Sequence, residues 1–121
     1  MVKEKSKELY DKALKWIYRK KFYGVKAKIE PFDAPKTFHR KQDDSTFTPD
    51  ITALRNERKS FFDIVLKKET RRRLAGKWQL MQELASRNGG KLYLFTPKGH
   101  HAFAERVVEK YGLEANIIRL F

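Results

Sequence analysis

The sequence contains no cysteine, and it has only four prolines and six glycines in 121 residues. The missing thiols exclude a disulfide scaffold, a thiolate zinc site, an iron–sulfur cluster and a cysteine nucleophile. No apolar run approaches the roughly 20 residues that a membrane-spanning helix needs. Residues 1–7 are charged and lack the apolar stretch of a signal peptide. We therefore expect a cytoplasmic protein without a membrane partner, or one packaged with an assembly that is made there.

Acidic residues are also scarce, since 15 Asp and Glu stand against 28 Lys and Arg and leave a formal net charge of +13. A surplus of this size favours a polyanionic partner, because cationic side chains release condensed counterions from phosphates. We expect nucleic acid, with an acidic protein surface and anionic lipid as alternatives. DNA comes before RNA because the chain lacks the aromatic and loop signatures of RNA-binding modules. Nine Phe, five Tyr and two Trp are enough to seed a core.

The hydrophobic periodicity predicts one α/β domain over residues 1–121, with elements in the order α-β-β-β-α-β-α-β. The first helix is capped by Ser6 and ended by Gly24, and residues 31–48 are expected to form a loop. The second and third strands, 49–54 and 61–67, are joined by a short polar connection that is typical of an antiparallel hairpin. The first strand is expected at 25–30, and the remaining elements are a helix capped by Thr70, a strand at 92–95, a helix at 101–111 and a strand at 115–120. A central mixed sheet flanked by helices buries these apolar faces most simply.

The predicted hairpin carries the residues on which a function can be argued. Alternation along its second strand puts Asp63, Val65 and Lys67 on one face, and Asp50 enters the first strand directly after a proline. We therefore expect Asp50, Asp63 and Lys67 to share a surface. Two carboxylates are suitable ligands for Mg²⁺ or Mn²⁺, and an ion held there would activate a water molecule. A lysine beside them stabilises developing charge, so the pattern predicts phosphodiester hydrolysis.

These residues resemble the motif of the PD-(D/E)XK nuclease superfamily, whose fold is called restriction-endonuclease-like. The likeness rests on Pro49 and Asp50 at the start of one strand, on Asp63 and Lys67 along the next, and on the α-β-β-β-α-β order over most of the chain. It implies that Asp50 and Asp63 bind the metal ion and that Lys67 is the catalytic lysine. It also implies a further metal ligand at Glu8 on the first helix, as in archaeal Holliday-junction resolvases.

Val65 departs from the superfamily pattern, which has an acid two residues before the lysine. Asp63 lies two residues earlier on the strand, about 6–7 Å from that position. Either the metal site is displaced along the strand, so that Asp63 still reaches the ion, or another acid, such as Glu69 or Glu8, completes the site. Alternatively, the fold is kept without the chemistry. That alternative describes a structural or DNA-contacting protein of a larger assembly, such as a phage neck or virion component. A homo-oligomer, common among the relatives, would supply a second active site.

A plain structural role is the other interpretation of the same residues. Asp50 would then cap the hairpin and pair with Arg55, while Asp63 and Lys67 would pair across a solvated face. Surface pairs of this kind are common and contribute little to stability. The sequence leaves both interpretations open.

Two basic stretches, residues 3–21 and 67–91, also carry an apolar periodicity and are expected to be helices that hold the phosphate backbone. Three consecutive arginines open the second of these helices, where cations oppose the helix dipole. Lys98 lies shortly before a third helix, whose N-terminus suits a phosphate. The residues predicted to contact nucleic acid are Lys68, Arg71, Arg72, Arg73, Lys77 and Lys98.

Overall fold

The structure is a computed structural model that describes residues 5–41 and 44–121, so Lys3 of the first basic stretch lies outside the described residues. None of the helices in these ranges is long and apolar enough to cross a membrane. The elements are α1 (Lys7–Arg19), β1 (Tyr23–Ala27), β2 (Phe38–His39), β3 (Thr46–Phe47), β4 (Ile51–Arg55), β5 (Arg58–Ile64), α2 (Arg71–Arg87), β6 (Gly89–Thr96), α3 (His101–Tyr111) and β7 (Asn116–Arg119). Apart from the two-residue strands β2 and β3, this is the predicted order.

Five strands form one mixed sheet in the order β1-β4-β5-β6-β7. β4 is antiparallel to both β1 and β5, whereas β6 is parallel to both β5 and β7. Parallel neighbours need a crossover connection, and α2 and α3 provide these two connections. The predicted α/β fold with a central mixed sheet flanked by helices is therefore confirmed. The antiparallel pairing of the two hairpin strands is confirmed as well.

The two faces of the sheet form separate cores. Phe62 and Ile64 of β5 pack with α1, whereas Phe61 of β5 and Val65, the residue after the strand, pack with α2 and α3. This division follows from the alternation of side chains along a strand. Trp78 of α2 is fully buried in the second core.

Helix ends follow the capping signals of the sequence, with one exception. The side chains of Ser6 and Thr70 accept hydrogen bonds from backbone N–H groups in the first turns of α1 and α2. Gly112, with a φ of 62°, ends α3 in the left-handed conformation. The prediction that Gly24 ends the first helix is wrong, because α1 stops at Arg19. Gly24 instead lies in β1 with a φ of 58°, where the register with β4 shifts.

The segment 31–48, predicted to be a loop, contains a small hairpin that we call the arm (residues 38–41 and 44–47). Phe38 of β2 lies opposite Phe47 of β3, and their rings stack with centroids 5.6 Å apart. Phe38 also contacts Phe61 of the sheet at 5.8 Å, which fixes the arm to the second core. Strands of two residues are too short to produce a hydrophobic alternation, and this is why the pattern did not indicate them.

Candidate metal and nucleic-acid site

Asp50 and Asp63 lie next to each other at the end of the β4–β5 hairpin. The ladder pairs Ile51 with Phe62, so Asp50, one residue before β4, lies opposite Asp63. Both residues are buried, with 2% and 0% of their surface exposed. Because the Asp63 carboxylate is shielded from water, the interpretation that Asp63 and Lys67 pair across a solvated face is wrong.

Asp63 is held from the side of α2. The Nζ atom of Lys77 lies 3.1 Å from Asp63 Oδ1, and Trp78 donates a hydrogen bond from Nε1 to Oδ2 at 2.9 Å. Lys77 and Trp78 are consecutive residues of the helix that packs on this face of β5. One short piece of helix therefore supplies both a positive charge and a neutral donor to a carboxylate that water does not reach.

Asp50 is held by the neighbouring strand, by α1 and by a lysine at the protein surface. The backbone N–H of Ile64 donates to Asp50 Oδ2 at 2.8 Å. The hydroxyl of Tyr10 donates to Oδ1 at 3.4 Å, and the Nζ atom of Lys28 lies 3.5 Å from that same oxygen. Arg55, the partner suggested from the sequence, instead donates to the backbone carbonyl of Lys20.

Lys5 is the residue that links the two carboxylates. Its Nζ atom lies 2.5 Å from Asp50 Oδ2 and 3.7 Å from Asp63 Oδ1, and only 12% of its side chain is exposed. Burial would lower the pKa of Lys5, but the carboxylates of Asp63 and Asp50, together with Glu69, raise this pKa well above its usual value. Lys5 is therefore positively charged at neutral pH.

The pKa values of the two carboxyl groups shift in opposite directions. Burial would raise the pKa of Asp63, but the ammonium groups of Lys5 and Lys77 outweigh it and hold this pKa below its usual range. Burial and the adjacent Asp63 charge raise the pKa of Asp50 despite the same two lysines. Two buried carboxyl groups in contact cannot ionise with equal ease. Asp63 thus carries the more persistent charge, and Asp50 takes up a proton first as the pH falls.

Lys67 lies away from this pair, because β5 ends at Ile64 instead of continuing to residue 67 as predicted. The Lys67 side chain is exposed, and its backbone N–H donates to His100 Nδ1 at 3.0 Å. The alternation that would align Lys67 with Asp63 therefore stops before it reaches the lysine. Lys77 takes the place beside Asp63, and no pattern along β5 could have indicated a lysine from the next helix.

Glu8 also lies apart from the carboxylate pair. Its side chain is 78% exposed and pairs with Lys12, one turn along α1, at 3.5 Å. Glu69 is nearer, since its charge contributes to the raised pKa of Lys5. Within residues 5–41 and 44–121, no cluster of three or more His, Cys, Asp or Glu side chains is arranged to hold a metal ion.

The donor set of Asp50 and Asp63 nevertheless fits Mg²⁺ in its chemistry. Mg²⁺ commonly binds proteins through one or two carboxylates and keeps several water molecules. The two side chains offer such oxygens in adjacent positions, and both Asp50 Oδ2 and Asp63 Oδ1 now contact the ammonium group of Lys5. The pair already attracts one cation into the position between its carboxylates, which is where a divalent ion would be bound.

A cleft of about 800 Å³ lies beside the carboxylates, between the arm and the first turns of α2. Among the described lining residues, five are cationic and only Glu69 is acidic; the cations are Lys28, Arg40, Arg72, Arg73 and Lys77. Lys28 and Lys77 are also the lysines that contact Asp50 and Asp63. These two side chains therefore connect the cleft to the carboxylate pair.

The six residues predicted to contact nucleic acid divide into two groups in the structure. Arg72, Arg73 and Lys77 line the cleft. The other three are exposed outside its lining; they are Lys68, Arg71 and Lys98. The sequence pattern did not indicate Lys28 or Arg40, because Lys28 follows β1 and Arg40 belongs to the arm, and only the tertiary fold brings both beside α2.

Arg40 reaches from the arm across Gly76 of α2. A Cβ atom at residue 76 would lie only 2.7 and 2.8 Å from the two terminal nitrogens of the guanidinium group. Glycine inside a helix costs about 1 kcal/mol relative to alanine. The close approach of Arg40 explains why residue 76 is a glycine. In the sequence, only this glycine before Lys77 and Trp78 indicates the contact.

Comparisons with known proteins return no relative for this chain. No family model matches it, and neither the curated proteins nor the solved structures include a match. The likeness to the PD-(D/E)XK superfamily therefore rests on the motif residues and the element order described above.

Proposed function

We propose that this protein is a Mg²⁺-dependent nuclease that acts on DNA. The observation that carries the proposal is the burial of Asp50 and Asp63 side by side next to a cationic cleft. Burying charges is costly even when they are paired, and well-packed apolar side chains in the same space are often as stable or more stable. A catalytic role explains why the chain retains two acids there.

The residues would divide the work according to their contacts. Asp50 and Asp63 would bind the ion through their carboxylate oxygens, and Mg²⁺ supplies an activated water and charge stabilisation when bound. Lys77 lines the cleft and lies 3.1 Å from Asp63, so its ammonium group would face the scissile phosphate and stabilise the charge that develops on it. This is the role that the sequence assigned to Lys67.

The cleft would hold a single nucleic-acid strand. Its volume of about 800 Å³ is that of a small-ligand site, for which about 300–1,000 Å³ is usual, so it accommodates a short stretch of one strand and not the cross-section of a duplex. Arg40 from the arm and Arg72 and Arg73 from α2 would contact successive phosphates from opposite walls. Such binding weakens steeply with salt, because it depends on counterion release.

Nucleic-acid binding without cleavage is the second candidate, and the position of Lys5 favours it. If its ammonium group permanently replaces a metal ion between Asp50 and Asp63, the fold and the basic cleft remain while the chemistry is lost. The protein would then be a DNA-contacting or structural member of a larger assembly, such as a phage virion or neck. A homo-oligomer is compatible with either function.

Cleavage of labelled single-stranded and duplex oligonucleotides in Mg²⁺ or in EDTA tests the proposal. We expect Mg²⁺-dependent products from the wild type and from the control Asp11→Asn, whose exposed carboxylate lies on α1. Asp50→Asn and Asp63→Asn should abolish the products. Asp50→Asn should bind DNA as well as or better than the wild type, because it loses a charge that repels phosphate.

Two outcomes would contradict the nuclease proposal. Cleavage that persists in both variants would place the chemistry elsewhere, or in a contaminant. Salt-sensitive DNA binding without cleavage in any metal would favour the second candidate function.

A further inference from the structure

We propose that Lys5 is an exchangeable cation built into the site, which a divalent metal ion displaces when it binds between Asp50 and Asp63. This inference rests on the proposed function, because it concerns the metal site of that function. Lys5 is the lysine that contacts both carboxylates, at 2.5 Å from Asp50 Oδ2 and 3.7 Å from Asp63 Oδ1. Its ammonium group therefore occupies the position that both acids share.

The charge balance requires an exchange. Three ammonium groups, those of Lys5, Lys28 and Lys77, lie within 3.7 Å of the two carboxylates. Two carboxylates carry at most two negative charges, so a divalent cation added to all three lysines would meet strong repulsion in a poorly hydrated space. Removal of one ammonium group as the ion enters relieves that repulsion and also vacates the shared position.

Lys5 is the lysine whose departure vacates the shared position without disrupting the fold, since, of the two acids, Lys28 contacts only Asp50, through its other oxygen. Lys77 lies inside α2, beside the fully buried Trp78. Lys5 precedes the N-cap Ser6, and the helical hydrogen bonds begin with the Tyr10 N–H donating to the Ser6 carbonyl. Its side chain can swing into water without breaking a bond of this helix or of the sheet. When Lys5 leaves, Lys28 and Lys77 still contact Asp50 and Asp63, and the incoming ion takes over the position between the two carboxylates.

The consequence is that the ammonium group of Lys5 and the metal ion compete for one position. While Lys5 is in place, its ammonium group neutralises the carboxylates and no metal ion is bound between them. Binding of the ion releases Lys5. Anything that draws Lys5 away, such as a phosphate of bound nucleic acid, would favour metal binding. The site would then be loaded preferentially when substrate is present.

Calorimetric titration of Mn²⁺ into the full chain tests the exchange. The variants are Lys5→Met, which keeps a long side chain without the charge, and the matched control Lys7→Met at an exposed position two residues away. We expect Lys5→Met to bind Mn²⁺ at least about tenfold more tightly than the wild type, because one positive charge at contact distance is gone. Lys7→Met should bind like the wild type.

The outcomes separate the exchange from the proposed function. Equal Mn²⁺ affinity in the wild type and in Lys5→Met would overturn the exchange and leave the metal site standing. No binding in any of the three proteins would overturn both. Binding by Lys5→Met alone would also overturn the exchange, because Lys5 would then block the wild-type site permanently, as in the second candidate function.

Acetylation of the wild-type protein provides a measurement that does not depend on the folding of a variant. Lys5 should react slowly with an amine-directed reagent in EDTA, because it is buried and charged, and several-fold faster in saturating Mn²⁺. The exposed Lys7 should react at the same rate in both conditions. Mass spectrometry of the two positions reports the rates, and a Lys5 rate unchanged by Mn²⁺ would overturn the exchange.

Discussion

Two neighbouring positions of β5, residues 62 and 63, differ in how they fill their buried space. Phe62 faces α1 within a wholly apolar environment, where its ring stacks on Phe95 and Tyr93 with centroids 5.9 and 5.0 Å away. Asp63, the next residue, is equally buried on the opposite face but needs ammonium groups and an indole N–H to satisfy its carboxylate. Adjacent positions of one strand are thus stabilised in two different ways, by apolar packing at Phe62 and by ion pairs and a hydrogen bond at Asp63.

The difference indicates which position was shaped by stability and which by chemistry. Phe62 gains free energy directly from burial of apolar surface. Asp63 recovers, at best, the desolvation cost of its charge, although Phe61 and Val65 on either side of it pack in an apolar core. A fold selected for stability alone would have an apolar side chain at residue 63 as well, so the charged cluster is where a function is expected.

Removal of an apolar side chain gives the largest expected loss of stability. Phe62→Ala should lower the free energy of unfolding by about 3–5 kcal/mol, because it leaves a cavity among tightly packed rings. Urea denaturation measures the change. A loss below about 1 kcal/mol would mean that the apolar packing of Phe62 against α1 is not a main source of stability, which would contradict the contrast with Asp63.

Removal of one partner of Asp63 should lower the free energy of unfolding by less than Phe62→Ala does, and a second substitution should restore part of the loss. Lys77→Met should lose about 3 kcal/mol, because Asp63 keeps its charge with one cation fewer. The double variant Lys77→Met with Asp63→Leu should regain at least about 1 kcal/mol of that loss, although Trp78 then lacks its acceptor. Denaturation of the single and double variants forms a cycle, and a double variant less stable than Lys77→Met would contradict the account.

The cationic cleft connects the buried charged cluster to the protein surface. Arg40→Ala should weaken DNA binding by about threefold to tenfold at moderate salt and reduce the salt dependence. Gly76→Ala should have a similar effect, because its methyl group would displace the Arg40 guanidinium. Arg106→Ala, at an exposed site on α3, is the control. Fluorescence anisotropy with an oligonucleotide measures all three, and equal losses in Arg40→Ala and Arg106→Ala would show that the cleft has no special role.

The smallest expected effect is on the pKa of His100, which distinguishes the positions of Lys67 and Lys77, the two candidates for the catalytic lysine. Partial burial, followed by the charges of Lys67 and Lys68, lowers the pKa of His100. Lys67→Met should raise this pKa toward the usual histidine value of about 6.5, whereas Lys77→Met should leave it unchanged. NMR titration of the His100 ring decides this, and a larger response to Lys77→Met would place Lys67 and Lys77 differently from the structure.

Much of the fold could be predicted from the sequence, because its elements carry local signals. Alternation marked the strands around Asp50 and Asp63, and a capping residue marked α2 at Thr70. The arm was missed because its strands are too short to alternate. The end of β5 was misplaced because Leu66 and Lys67 continue the pattern after the pairing has stopped.

The candidate site could be predicted only in part. The two acids were found because they lie on neighbouring strands of one hairpin, so that local alternation relates them. Lys5, Lys28 and Lys77 come from three other parts of the chain, and Lys5 is 45 residues from Asp50. In a sequence with 28 basic residues, no spacing distinguishes the lysines that fold onto a carboxylate from those that remain on the surface.

The most direct test of the central claim, that Asp50 and Asp63 form a divalent-metal site, uses the two tryptophans as internal probes. Trp78 donates its indole N–H to Asp63 at 2.9 Å, whereas Trp16 packs against Phe95 and Tyr93 on the other core. Paramagnetic Mn²⁺ broadens nearby signals, so a titration at low Mn²⁺ ratios followed by ¹⁵N NMR should erase the Trp78 indole signal first. Loss of both indole signals together, or of neither, would contradict the claim.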